Sequence, residues 1–253
     1  MSRRAERRAG PDRPAAQQHE RAGIRERPAR DTPRERLLQA ARDVVADDGL
    51  EGLTLRAIAR RAGVSHGAPL RHFPSLASLL AAVAADGFTR LMATIDTCLT
   101  DAEKAAVAAG VALDPRRRLA VAGRAYVQFA LADPGVFSVT FRPERVDVTD
   151  DDYRLQGFAS FRQLVGLVEA AQADGWHPDH RPEVLAAVLW AHVHGLAVLT
   201  LHGALPAVVG DDEVADLPAL SALLAIGTEA VLDLDLVPNP SPAPVTTSTS
   251  PFR

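Results

Sequence analysis

The chain has 253 residues, 47% hydrophobic and 24% charged, which is enough apolar side chain for one large domain or two small ones. A single cysteine, Cys98, excludes an intramolecular disulfide framework and a four-cysteine zinc site. No uninterrupted apolar run of about 18 residues occurs, so no membrane span is expected. The N-terminus lacks the apolar region of a secretory signal, and the expected location is cytoplasmic.

The net charge of −4 is unevenly spread. Residues 1–75 carry +6 and residues 76–253 carry −10. Such an asymmetry suggests a polyanion-binding segment attached to an unrelated domain. Most of the positive charge falls in the first 36 residues, which carry +5. The folded part of the basic segment is therefore nearly neutral, so any specificity there must come from placement rather than bulk charge. Residues 1–31 are Arg-rich and almost devoid of apolar side chains, and are expected to be disordered. Two readings of that tail stay open: a passive solvated segment or a nonspecific DNA arm. Of the 28 basic residues Lys104 alone is lysine, a bias that GC-rich coding also produces.

Helical signals begin at Thr32-Pro33-Arg34-Glu35, a capping box with proline at the first helical position. Leu37, Leu38, Ala41, Val44 and Val45 recur at helical spacing, and Gly49 ends the helix. Thr54 caps a short second helix that Gly63 stops, and Ser65 is expected to cap a third ending near Phe73. Ser75 opens a long helix reaching towards Gly110. Asp114-Pro115 and Asp133-Pro134 each start a helix. Thr149 to Asp152 put acids at the start of another, where the helix dipole favours them, and Gly175 ends it. Pro182 opens an apolar helix to about Leu205, and Asp211 to Glu213 open a last one to about Leu234. Residues 237–253 are rich in Pro, Ser and Thr and are expected to be a disordered tail. No strand pattern and no internal repeat stands out, so the fold class is all-α. The expected organisation is a tail over 1–31, a three-helix head over 32–76, a helical body over 77–236 and a tail over 237–253.

Residues 54–73 read TLRAIARRAGVSHGAPLRHF. Two short helices around a Gly-centred turn form a helix-turn-helix. Ala59 is small enough for close helix approach, Gly63 tolerates the positive φ of a tight turn, and Val64 plugs the gap. The third helix would lie in the major groove, where each base pair presents a distinct pattern of donors and acceptors. The alternative is a helical hairpin that merely packs.

From Thr32 to about Leu91 the sequence resembles the N-terminal DNA-binding domain of TetR-type transcriptional regulators. The resemblance rests on the amphipathic first helix, on Gly52 to Ala59 and Ala62-Gly63-Val64-Ser65, and on Arg71-His72-Phe73-Pro74-Ser75. Trp190-Ala191-His192-Val193-His194-Gly195-Leu196 resembles the Trp-x(3)-His-Gly signature of the WHG-type C-terminal domain of that family. The resemblance implies a homodimer whose last two helices form a four-helix bundle. It also implies a double-stranded palindromic DNA operator and a small-molecule effector that changes the spacing of two reading heads. Two positions depart from the family pattern. Leu70 stands where tyrosine is usual, and Leu76-Ala77 stands where a phosphate-anchoring lysine is frequent. Each missing phosphate contact makes the salt dependence shallower, by roughly 0.9 in log–log slope.

The residues expected at DNA are Thr54, Arg56, Ser65, His66, Gly67, Ala68, Leu70, Arg71 and His72. Arg56, Arg71 and His72 would position the head on phosphates, His66 would donate to a base edge, and Leu70 would meet a thymine methyl. The residues expected around a ligand are Tyr126, Phe129, Phe137, Phe141, Phe158, Phe161, Trp190 and His194, since ligand sites are mainly apolar with a few placed polar groups. Aromatic residues at helical spacing also serve as plain core, and His194 also reads as a hydrogen-bonded core histidine. The pairs His177/His180 and His192/His194 lack the three or four converging ligands that zinc needs, so no metal and no cofactor is expected. Cys98 has no arranged base, and no Gly-rich phosphate loop follows a strand, so no enzyme is expected. The function expected is a ligand-responsive DNA-binding transcriptional regulator, a repressor released from its operator by a small molecule. The alternative is a helical small-molecule-binding protein with a degenerate reading head.

Overall fold

The computed structural model describes residues 32–209 together with 223, 224 and 227. The expectations for the two tails and for most of the last helix therefore lie outside the described residues. Among the described residues there are helices and no strand.

The head is built by local chemistry. Helix α1 (Pro33–Asp48) opens on Thr32, whose hydroxyl accepts the Glu35 N–H while the Glu35 carboxylate accepts the Thr32 N–H. The inward stripe Leu37, Leu38, Ala41, Val44 and Val45 is buried. Gly49, at φ +68°, closes the helix by donating to the Val45 carbonyl. After a 3₁₀ turn at Leu50–Gly52, Thr54 caps α2 (Leu55–Arg61) by accepting the Ala57 N–H. Gly63, at φ +65°, makes the turn, and Val64 returns half-buried to donate to the Ala59 carbonyl. Ala59 is fully buried between the helices.

Helix α3 is shorter than the sequence suggests. It spans Ala68–His72, Gly67 is its N-cap, and Ser65 makes no side-chain cap bond. Pro69 explains the shift. A helix capped at Ser65 would need an N–H from residue 69 for the Ser65 carbonyl, and proline has none. That carbonyl instead accepts the Ala68 N–H in a tight turn at 2.9 Å, and Pro69 occupies the first helical turn, where no donor is required.

Helix α4 (Leu76–Ala108) has 33 residues, about 50 Å at 1.5 Å each, and begins on a reciprocal Ser75/Ser78 cap. Around it pack α5 (Pro115–Ala132), α6 (Pro134–Thr140) and α7 (Asp151–Ala173), and α8 (Pro182–Leu201) lies on α5 and α7. Asp150 caps α7 by accepting the Tyr153 N–H, and Thr149 is held by Asp147. The predicted helix from Pro182 to about Leu205 breaks at Gly203, at φ +70°, and a short α9 (Ala204–Val209) follows. On length and composition alone, α4 and α8 are apolar enough to cross a membrane, although α4 forms the core of this fold.

One continuous apolar core joins head and body, from Leu37 and Ile58 through Leu79 and Val83 to Phe137 and Val193. A second cluster gathers Val165, Val168, Trp176, Leu185 and Leu189 between α7 and α8. Helix α6 fits because glycine lines its close contacts with α4 and α1. A methyl on Gly87 of α4 would collide with Thr140 Oγ1 and press on Val136, and one on Gly135 would press on Val45 of α1. Gly87→Ala is therefore expected to destabilise the fold by about 1–3 kcal/mol in chemical denaturation. Gly166→Ala, on the open face of α7, is expected to be neutral or stabilising by up to about 1 kcal/mol. Equal effects of the two would contradict the close contact.

Candidate functional site

The first candidate surface is the exposed side of α2 and α3. Thr54, Arg56, Ser65, His66, Gly67, Leu70, Arg71 and His72 are all exposed there, and Ala68 is half-buried. Pro69 and Phe73 turn inward and seat α3 on the head, with the Arg34 guanidinium 5.2 Å over the Phe73 ring. Leu70 is 55% exposed, an apolar side chain presented to water from the middle of the short helix. Arg56 and Arg71 make no ion pair among the described residues, so their charge is available to a partner. Arg61, by contrast, is committed to Asp47 at 2.7 Å. Arg60, which the sequence reading does not single out, is exposed one helical turn beyond Arg56 and also unpaired among the described residues.

The second candidate is a cavity of about 740 Å³ lined by residues of α4 to α8 and by Leu224. This lies within the range of small-molecule sites, roughly 300–1,000 Å³. Of the eight predicted ligand residues, Tyr126, Phe141, Phe161, Trp190 and His194 line it. Phe129 and Phe137 are buried behind the wall as core, with Phe137 stacked tilted on His194 at 5.4 Å. Phe158 is 65% exposed on the outside of α7. The adjacent Gly157 faces Phe88, which turns the next residue outward.

A hydrogen-bond chain crosses the wall. Trp190 Nε1 lies 3.3 Å from the Tyr126 hydroxyl, which lies 2.8 Å from His194 Nδ1. Burial pushes the Tyr126 phenol well above its usual value and pushes His194 below its own, so both stay uncharged near neutrality. Sequence reasoning missed Phe88, Tyr153, Thr140 and Gln163, which also line the cavity. The available signal for Gln163 was a polar residue in phase with Ser160, Leu164 and Leu167 on the inner face of α7. Gln163 is tied to α4 by Asp96 Oδ1 at 2.7 Å and the Met92 carbonyl at 3.3 Å. Among the described residues no three His, Cys, Asp or Glu side chains converge as metal ligands.

The lowered His194 value has a sign. Above the unfolded histidine value of about 6.5 both states are neutral there, and below it the unfolded chain takes up a proton that the folded one resists. Stability is thus expected to fall as pH drops below about 6.5, and to fall less in His194→Gln. Identical pH profiles of thermal denaturation would contradict this.

The chain was also compared with known proteins. A family profile described as bacterial regulatory proteins, tetR family, matches residues 37–83. Another, described as a tetracyclin repressor-like C-terminal domain, matches residues 119–219, and the two together cover more than half the chain. A protein of unknown function from Rhodococcus sp. RHA1 is similar at 32% identity and TM-score 0.62, over 80% of this chain and 98% of that one. A transcriptional regulator from Rhodococcus sp. Rha1 is similar at 26% identity and TM-score 0.54, over 79% and 96%. The fatty acid degradation regulator FadR from Bacillus halodurans shares the fold at 14% identity and TM-score 0.57, over 81% and 96%. No curated protein sequence matches.

Proposed function

The chain belongs to the TetR family of bacterial regulatory proteins, and from that premise as a DNA-binding transcriptional regulator we propose that it is a repressor released from a palindromic operator by a small molecule. Arg56, Arg71 and His72 dock the head on phosphates, with Thr54 and Ser65 adding hydroxyl contacts. His66, Gly67, Ala68 and Leu70 face the bases, with Leu70 against a thymine methyl. The effector binds in the cavity against Tyr126, Phe141, Phe161, Trp190 and His194.

The observation that carries this reading is the position of α6. Its end, at Thr140 and Phe141, borders the cavity, and its start, at Gly135, rests on Val45 of α1. A ligand that favours a shifted α6 therefore also favours a shifted head. It acts by its differential affinity for the two states, and a ligand indifferent to them would change nothing. The exposed apolar residues Val184 and Leu199 on α8 support a homodimer through this helix and the last one. A dimer also provides the two heads that a palindrome needs. Such a regulator acts in the cytoplasm.

The test is fluorescence anisotropy on the DNA upstream of the protein's own gene. The expected result is a specific complex at physiological salt that unrelated DNA does not displace. Arg71→Ala is expected to weaken it and to reduce the salt slope by roughly 0.9 for each phosphate that the arginine neutralises. Phe161→Ala is expected to leave ligand-free DNA binding unchanged. Salt-sensitive, nonspecific binding alone would overturn the repressor reading and favour a helical small-molecule-binding protein.

A further inference from the structure

The identity of the effector is constrained by how protons are shared along the Trp190–Tyr126–His194 chain. The indole N–H of Trp190 is a donor and nothing else, so the Tyr126 oxygen accepts from it at 3.3 Å. The single Tyr126 proton is then free to point at His194 Nδ1, 2.8 Å away. If Nδ1 carried the proton instead, two donors would meet at one oxygen and the buried phenol proton would have no acceptor. That arrangement is disfavoured because an unsatisfied buried polar group costs more than an average hydrogen bond gains. Nδ1 is therefore an acceptor, and in the neutral ring the remaining proton sits on Nε2.

His194 lines the cavity, and among the described residues its hydrogen bond is made at Nδ1, which leaves Nε2 without a partner. The ring is held from several sides. Phe141 packs against it edge-on at 5.0 Å, and Phe137 at 5.4 Å and Trp190 at 6.0 Å hold it at tilted angles. The rest of the wall is mainly aliphatic and aromatic. Among the described residues no carboxylate lines the cavity, and the charged side chains at its edge, Arg117 and Arg124, are cationic and exposed. A cationic ligand would find no countercharge there and would have to shed its hydration.

We propose that the effector is a non-cationic, largely apolar molecule carrying a carbonyl-type acceptor, and that His194 Nε2–H is the donor that selects it. This rests on the reading of the cavity as the effector site. Trp190 and Tyr126 act as positioning residues, because their hydrogen bonds fix the histidine tautomer. Apolar bulk supplies the affinity and this N–H supplies the choice of an acceptor.

The experiment uses three probes of similar size: heptanophenone, heptylbenzene and the benzylhexylammonium cation. Their binding to the full chain is measured by calorimetry, with operator affinity measured in parallel. Wild type is expected to bind heptanophenone about tenfold more tightly than heptylbenzene, and the cation more weakly than both. His194→Phe is expected to abolish the ketone preference while heptylbenzene still binds. Tyr126→Phe, which keeps the imidazole but frees its tautomer, is expected to reduce the preference. In wild type, ¹⁵N-histidine NMR is expected to show His194 as the Nε2–H form, with that proton shifting when the ketone binds.

Equal binding of ketone and hydrocarbon, a preference that survives His194→Phe, tighter binding of the cation, or no binding of any probe would each overturn the proposal. Its failure is distinguishable from failure of the effector-site reading. If ketone and hydrocarbon bind equally and both loosen the operator, the acceptor rule fails and the site stands. If the ketone binds with the expected preference and operator affinity is unchanged, the chemistry of the cavity stands and the effector role fails.

Discussion

Everything in this protein turns on a seven-residue helix wedged between the long helix and the head. Helix α6 has room because Gly87 carries no side chain where Thr140 comes in, and because Gly135 carries none where Val45 does. Thr140 is fully buried and satisfies its hydroxyl on the Val136 carbonyl, so the close approach leaves no unpaired polar group. The backbone reinforces the junction beyond the helix. Asp147 N–H donates to the Ala77 carbonyl at 3.0 Å, and the Arg145 guanidinium donates to the Leu50 carbonyl at 2.7 Å. Arg42–Asp86 ties α1 to α4 at 2.6 Å, and Arg90–Asp133 ties α4 to the start of α6 at 2.9 Å. These pairs are partly solvated, and each contributes about 1 kcal/mol or less. Packing, rather than charge, holds head to body.

That packing gives the cavity its meaning. A three-helix head of about forty residues buries little by itself. Here its core continues into α4, α5 and α6, so the head's orientation is a property of the body. The cavity opens among the same helices. Its wall is mainly apolar, with Thr140, Ser160 and Gln163 among the polar residues on it; a short chain of hydrogen bonds fixes the tautomer and orientation of His194, while burial keeps the ring neutral. Such a wall binds through shape and chooses through one or two polar atoms. A packed interior answers a new occupant by moving between discrete arrangements rather than by deforming smoothly, and α6 is placed to convey that move.

Much of the head was legible in the sequence because its signals are local. Thr32 with Glu35, Gly49, Thr54 and Gly63 each do what their side chain or backbone freedom dictates, within four residues. The start of α3 was not legible in the same way. Ser65 is a good cap by type, but the missing N–H of Pro69, four residues on, outweighs it and moves the boundary to Gly67. Gly203 was overlooked for a different reason: the apolar pattern of α8 runs straight through it. The cavity was half legible. Aromatic residues were the right class, but which of them face inward depends on helix phase. Gly157 against Phe88 settles the phase of α7 and sends Phe158 outward. Phe129 and Phe137 stay behind the wall. Thr140 carried no mark in the sequence, since its importance comes from neighbours distant in sequence, whereas the mark of Gln163 is its phase on the inner face of α7.

The central claim is that filling the cavity moves the reading heads. The most direct measurement is the distance between the two heads of a dimer, by pulsed electron resonance on spin labels at residue 66. Cys98 is the chain's single cysteine, so His66→Cys in a Cys98→Ser background gives one label per subunit. Without ligand, the account predicts a distribution compatible with successive major grooves, about 34–36 Å apart. Saturation with heptanophenone is predicted to displace it by several ångströms. An unchanged distribution, with the ligand shown to be bound, would contradict the account.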